Sequence, residues 1–187
     1  MAAKISRFDI HDELTAPTES APILKGALSG SGKLNNFVGV LAGSPAALRG
    51  YARMRSELRR GELPAATQER IALAVAEFRG SDYDVAVHAR AGRAVGLDLD
   101  EIDSARQFTS RDEREAALLR YVETMLQNSG SVPVHLHEEA HEAGWTDAQL
   151  LEAIALVSME SFTAMVNLAG EIPVDGSVEE TRVLRAA

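Results

Sequence analysis

Apolar residues recur at three- and four-residue spacing along almost the whole chain, and nearly every such run opens on a capping residue and closes on glycine. A chain written this way has little choice but to fold as helices. Ser44 and Pro45 supply an N-cap and a first-turn proline for Leu48, Tyr51, Met54 and Leu58, and Gly61 ends the run. Pro64 opens the next, in which Ile71, Val75 and Phe78 mark the side expected to be buried, up to Gly80. Ser81 with Asp84, Ser110 with Glu113 and Thr146 with Gln149 are pairs three residues apart that read as capping boxes. The third precedes a long apolar helix, Leu150 to Leu168, with Gly170 as its stop. Two segments, ARAGRAVGLDLDEI from Ala89 and EEAHEAGWTDAQLL from Glu138, echo one another as helix, glycine stop, acidic turn and helix. No run alternates apolar and polar residues as a half-buried strand does. The expectation is an all-α fold: a compact helical bundle of about seven to eight helices over residues 18–175, with a loosely ordered segment at 1–17 and a polar tail at 176–187.

With 45% hydrophobic and 25% charged residues in 187, the chain has the composition of one globular domain with a real core. Its formal charge of -9 argues against nucleic acid or an anionic membrane surface as partner, because affinity for phosphate comes from Lys and Arg. The one basic cluster, Arg49, Arg53, Arg55, Arg59 and Arg60, is interrupted by Glu57 and reads as a solvated helix face. The chain has no cysteine, which excludes disulfides, thiolate metal sites and every cysteine-nucleophile mechanism. The start, MAAKISRFDIHDEL, has no apolar core of a signal peptide, and no apolar stretch is expected to approach the ~20 residues of a membrane span. A cytoplasmic protein is the expectation.

The chemistry concentrates around Gly80. If the helices on either side of it pack as an antiparallel hairpin, Glu69 lies eleven residues before the turn and His88 eight after it. At ~1.5 Å of rise per residue the two stand at axial heights of ~16 and ~12 Å, close enough to face one another. A carboxylate beside an imidazole orients the ring and raises its pKa, which is a general acid/base arrangement and equally a structural buried pair.

The stretch from Leu63 to Ile102, LPAATQERIALAVAEFRGSDYDVAVHARAGRAVGLDLDEI, resembles the core of the carboxymuconolactone decarboxylase and alkylhydroperoxidase D superfamily. There a helix bearing Glu leads into Cys-x-x-Cys and then a His four residues later. Glu69 stands at the family's glutamate, Ser81 and Asp84 at the two cysteine positions, and His88 at the histidine. LNNFVGVLAGSPAALRGY upstream and AGWTDAQLLEAIALVSMESF downstream extend the resemblance over roughly residues 34 to 170. It implies the alkylhydroperoxidase D-like fold, a homo-oligomer (trimer or hexamer), and a Glu–His proton relay that activates a thiol in the cysteine-bearing peroxidases. Here the relay has lost its nucleophile. Serine has no thiolate to accept a peroxide oxygen, so thiol peroxidase chemistry is not expected.

What the resemblance leaves is non-redox acid/base chemistry without a cofactor: His88, oriented by Glu69, moving a proton on a small carbonyl- or lactone-containing acid, as in the decarboxylases of the family. Ser81, Tyr83 and Asp84 are candidate pocket or assisting residues, though Ser81 and Asp84 serve as helix caps and Tyr83 as core filler on the simpler reading. The competing class is a non-catalytic, degenerate peroxidase-like binding or assembly module. Glu69, Asp84 and His88 would also suit a metal ion, but no metal is assigned. His137-Glu138-Glu139-Ala140-His141 matches the H-E-x-x-H zinc pattern, with Asp147 or Glu160 as conceivable third ligand and a metal-dependent hydrolase as the implied activity. Gly144 as helix stop and Thr146-Asp147 as the next start explain the same residues, and the segment reads as a solvated helix. His135 has no assigned role.

Overall fold

The computed structural model describes residues 6–31 and 33–176. Of the expected terminal segments, residues 1–5 and 177–187 lie outside the described residues. Among the described residues there are nine α-helices, one 3-10 turn (Thr18–Ser20) and no strand. The helices are α1 (Ala21–Ser31), α2 (Asn36–Leu41), α3 (Pro45–Leu58), α4 (Ala65–Arg79), α5 (Asp82–Ala94), α6 (Leu99–Arg106), α7 (Glu113–Gln127), α8 (Val134–Glu142) and α9 (Asp147–Gly170). The all-α expectation holds, with slightly more helices than expected because α2, six residues long, is too short to show a periodicity.

The chain divides into two compact units, Met1–Ser56 with Met165–Ala187 and Glu57–Ala164. In the first, the N-terminal segment is tied down by backbone bonds: Arg7 N–H donates to the Gly170 carbonyl at 2.7 Å and His11 N–H to that of Gly39 at 3.0 Å. Asn36 donates its backbone N–H to Asp175 and its amide to the Pro173 carbonyl. Leu24, Phe37, Leu41 and Leu48 are buried here. Gly170 is not the left-handed stop expected of it. Glu171 takes the positive φ instead (48°), and Gly170 is required by close approach, since a Cβ there would meet Ile172 at 2.9 Å and Phe8 at 3.0 Å.

The second unit is built around α4, whose Ile71, Leu73, Ala74 and Val75 are completely buried. Leu73 packs with Leu97, Ile102 and Ala105. Gly80, at φ 69°, ends α4 as expected of a left-handed cap, and Ser81 begins α5 at once, so α4 and α5 form the hairpin anticipated. Phe78 departs from the expected buried side: it is 40% exposed, with its ring edge-on to Phe108 at 6.2 Å. Ser110 departs too. The N-cap of α7 is Asp112, which accepts from the N–H groups of Arg114 and Glu115, while the Ser110 hydroxyl donates to Glu101. The Thr146–Gln149 capping box forms reciprocally, at 3.1 and 3.2 Å.

A polar network ties α4 to α6 and α7. Arg70 Nε donates to Glu101 at 2.7 Å and its guanidinium stands 3.8 Å from Glu115, while the Thr67 hydroxyl donates to Glu115 at 2.6 Å. Burial raises the pKa of the Glu115 carboxyl, and one of its oxygens is buried without a hydrogen bond. The Glu152 carboxylate accepts from the backbone N–H groups of Glu62 and Leu63, closing the turn before α4. Against expectation, α9 is long and apolar enough to cross a membrane by length and composition; in the fold 56% of its apolar stretch is buried, as in the core helix of a globular protein.

Candidate active site

The α4–α5 hairpin sets Glu69 and His88 against each other, with His88 Nδ1 2.8 Å from Glu69 Oε2. Both side chains are mostly buried, at 15% and 20% exposure. The helix arithmetic foresaw this contact because both residues belong to one hairpin with a tight turn. A second carboxylate completes the site from α9: Glu160 Oε2 lies 3.2 Å from His88 Nε2. Glu160 also accepts from the Thr163 hydroxyl at 3.1 Å. Glu160 is therefore not the third zinc ligand that the H-E-x-x-H pattern allows beside His137 and His141, because its carboxylate is at His88 instead. The signal that could have found it was an acidic residue in the middle of an apolar helix, which needs a partner once buried.

An ionised carboxylate only accepts hydrogen bonds, so facing one at each nitrogen requires the ring to carry both protons. Burial alone would push the His88 pKa down. The charges and hydrogen bonds of Glu160 and Glu69 outweigh it and raise the pKa from 6.5 to about 10. His88 is therefore an imidazolium clamped between two carboxylates at neutral pH. With both nitrogens engaged, it has no lone pair for a metal ion, which weakens the Glu69, Asp84 and His88 ligand set as a metal site.

Ser81, Tyr83 and Asp84 sit at the start of α5, all buried. The Ser81 hydroxyl donates to Asp84 Oδ2 at 2.6 Å and accepts weakly from the Asp84 N–H at 3.4 Å, as an N-cap does. Asp84 lies one turn before His88 on the same face of α5. His137 and His141 are elsewhere: they face each other at the end of α8, 3.1 Å apart through their Nε2 atoms, with Asp147 rather than Glu160 beside His141.

Residues 45–124, about two fifths of the 187-residue chain and including Glu69, Ser81, Asp84 and His88, match the model of the carboxymuconolactone decarboxylase family. The match to that family is confined to this segment. No curated protein matches the chain in sequence. Among solved structures, an uncharacterised peroxidase-related protein with an alkylhydroperoxidase D core from Ralstonia eutropha JMP134 is similar at 18% identity, with a TM-score of 0.82 over 94% of this chain and 95% of its own. A peroxidase-related protein from Silicibacter sp. TM1040 gives 18% and 0.79 over 93% and 94%. The debrominase Bmp8, as a cysteine-to-alanine variant with 2,3,4-tribromopyrrole, gives 15% and 0.71 over 90% and 91%. At these identities the likeness is one of fold. The carboxymuconolactone decarboxylase segment supplies Glu69 and His88, whereas Glu160 lies beyond its end.

Proposed function

We propose that this chain is a non-redox acid/base enzyme acting on a small carbonyl- or lactone-containing acid, with Glu69, His88 and Glu160 as its proton-handling group. The observation that carries the reading is the mostly buried imidazole held at both nitrogens by carboxylates. An imidazolium held this way can give its Nδ1 proton to Glu69 and take it back, leaving in between a neutral ring and a protonated carboxyl, so the proton moves between the two groups without a change in net charge. Glu69 is the more open of the two carboxylates, 20% exposed against 8% for Glu160, and is the oxygen a substrate would meet. Ser81 offers no thiolate, so the same machinery has no peroxidatic step. The debrominase among the fold's relatives is in keeping with a scaffold that hosts chemistry other than peroxide reduction.

The test is proton exchange. In D2O, a panel of small keto acids and unsaturated lactones followed by NMR should reveal a class whose activated C–H exchanges or whose carboxylate is lost. Glu69→Gln should slow that turnover by roughly 100-fold or more, and hydroperoxide with a dithiol reductant should be consumed no faster than by heat-killed protein. Turnover indifferent to Glu69→Gln would remove the triad from the chemistry. No turnover across the panel, with His88→Gln costing only stability, would favour a binding module in which the same triad is a structural pin.

We also propose that the protein self-associates, as the trimer or hexamer the resemblance implies. Along α9, Leu151 (66%), Met165 (56%) and Leu168 (47%) are left exposed, apolar surface that a second copy would cover. Light scattering should give a multiple of 20.1 kDa at micromolar concentration, and the mass of one chain would refute the proposal.

A further inference from the structure

We propose that His137, His141 and Asp147 form a binding site for one divalent transition-metal ion of the zinc class, separate from the His88 triad and joining the end of α8 to the start of α9. The two histidines are four residues apart and therefore one above the other on α8, with ring centroids 4.6 Å apart and planes nearly perpendicular. Their Nε2 atoms are 3.1 Å apart, and Asp147 Oδ1 is 3.1 Å from the Nε2 of His141. All three donor atoms fall within 4.8 Å of one another. Ligand atoms on a tetrahedral zinc ion at ~2.0–2.1 Å are separated by roughly 3.3 Å. The two donor pairs that include His141, each at 3.1 Å, thus stand within a few tenths of an ångström of the spacing that an ion would impose, and the third pair is within 4.8 Å.

The hydrogen bonds around the cluster point the same way. His141 Nδ1 lies 2.9 Å from the backbone carbonyl of Trp145, which can only accept, so Nδ1 carries a proton and in the neutral ring Nε2 carries the lone pair. That lone pair faces a carboxylate oxygen and a second imidazole nitrogen. Without an ion a proton shared among these atoms can bridge them, and a cation at the same point would take that proton's place with all three as ligands. A carbonyl that fixes the tautomer of a ligating histidine is the outer support that metal sites use.

The support is itself rigid. Trp145 is 1% exposed, its indole N–H donates to the Arg114 carbonyl at 2.8 Å, and the Arg114 guanidinium covers its ring at 4.0 Å. Gly144, at φ 91°, turns the chain back so that the Trp145 N–H reaches the Ala140 carbonyl. Asp147 follows directly on the Thr146 capping box at the start of α9. Each ligand is therefore carried on a helix end whose geometry is fixed without the ion. Imidazole and carboxylate donors suit zinc and its first-row neighbours better than magnesium or calcium. Asp147 is 82% exposed, so a fourth position opens to solvent.

The experiment uses the untagged full chain stripped with chelator and titrated with ZnCl2, read by calorimetry, bound-metal analysis and fluorescence of Trp145, the single tryptophan. The expected result is one zinc per chain at micromolar or tighter affinity, a raised Tm, and a change in Trp145 emission. His137→Gln should weaken binding on the order of 100-fold, and Asp147→Asn should weaken it less, whereas His88→Gln should leave it unchanged. His137 is on the surface, so its variant tests the site without disturbing the core; circular dichroism confirms the fold. Binding weaker than millimolar, or zinc affinity the same in His137→Gln as in the wild type, would overturn the proposal. Binding lost in His88→Gln and kept in His137→Gln would place the ion at the triad instead.

Discussion

Raising the pH from 6.5 to 10 is expected to cost the wild-type protein several kcal/mol of stability that His88→Gln does not lose over the same range. The His88 pKa is 6.5 in an unfolded chain and is raised to about 10 in the fold, where burial opposes the charge and the Glu160 and Glu69 carboxylates more than restore it. A group whose folded pKa is the higher one binds more protons in the native state, so its stabilisation is complete below about pH 6.5 and is lost as the pH rises through 10. A shift of this size corresponds to about 3–5 kcal/mol. The ring is only 15% exposed, so solvent screens little of it. Urea denaturation at intervals between pH 6 and 10, with the difference between wild type and His88→Gln plotted against pH, isolates the group from other titrations. A difference that stays flat across that range would show that His88 is neutral in the fold and that the two carboxylates do not hold it as described.

Arg70→Met is expected to destabilise the protein by about 3–5 kcal/mol at pH 7, more than a surface substitution could. Arg70 is 13% exposed and faces two carboxylates, Glu101 at 5% and Glu115 at 12%. Removing the guanidinium leaves two negative charges near each other with little water. Burial raises the pKa of Glu101, but the Ser110 and Arg70 hydrogen bonds outweigh it and hold it low, so this carboxylate stays charged. Glu115, whose pKa burial already raises, is the one that would protonate first to relieve the repulsion. The loss should therefore shrink at acid pH, and the triple variant Arg70→Met with Glu101→Gln and Glu115→Gln should recover most of it. Urea midpoints for the single and triple variants decide the matter: a loss below ~1 kcal/mol for Arg70→Met would show that the network is solvated in practice.

The parts of the site that were legible in the sequence are those within one hairpin. Glu69 and His88 are separated by a single tight turn, and helix rise alone sets their relative height, so the contact follows from counting residues. Glu160 comes from a helix 72 residues beyond His88, and no local spacing encodes which residue of α9 meets α5. The same contrast runs through the fold. The Thr146–Gln149 box formed because its two residues answer each other directly, whereas at the start of α7 Ser110 lost the cap to Asp112 because Glu101, from the preceding helix, offered its hydroxyl a better partner. Phe78 obeyed the helical period but lies near the end of α4, where it meets Phe108 edge-on and part of its ring stays in water. In each miss, a partner distant in sequence decided a side chain's place.

Glu160 has one further consequence, and it concerns the chain before it folds. While α9 is still emerging during synthesis, its 24 residues present a segment that a membrane-insertion machinery would measure by apolarity alone. A carboxylate near the middle of such a segment costs about 3 kcal/mol of insertion free energy, and Glu152 adds to it nearer the end. The residue that clamps His88 in the finished protein thus also raises the cost of placing the nascent helix in a membrane, and replacing it with leucine would remove both effects at once.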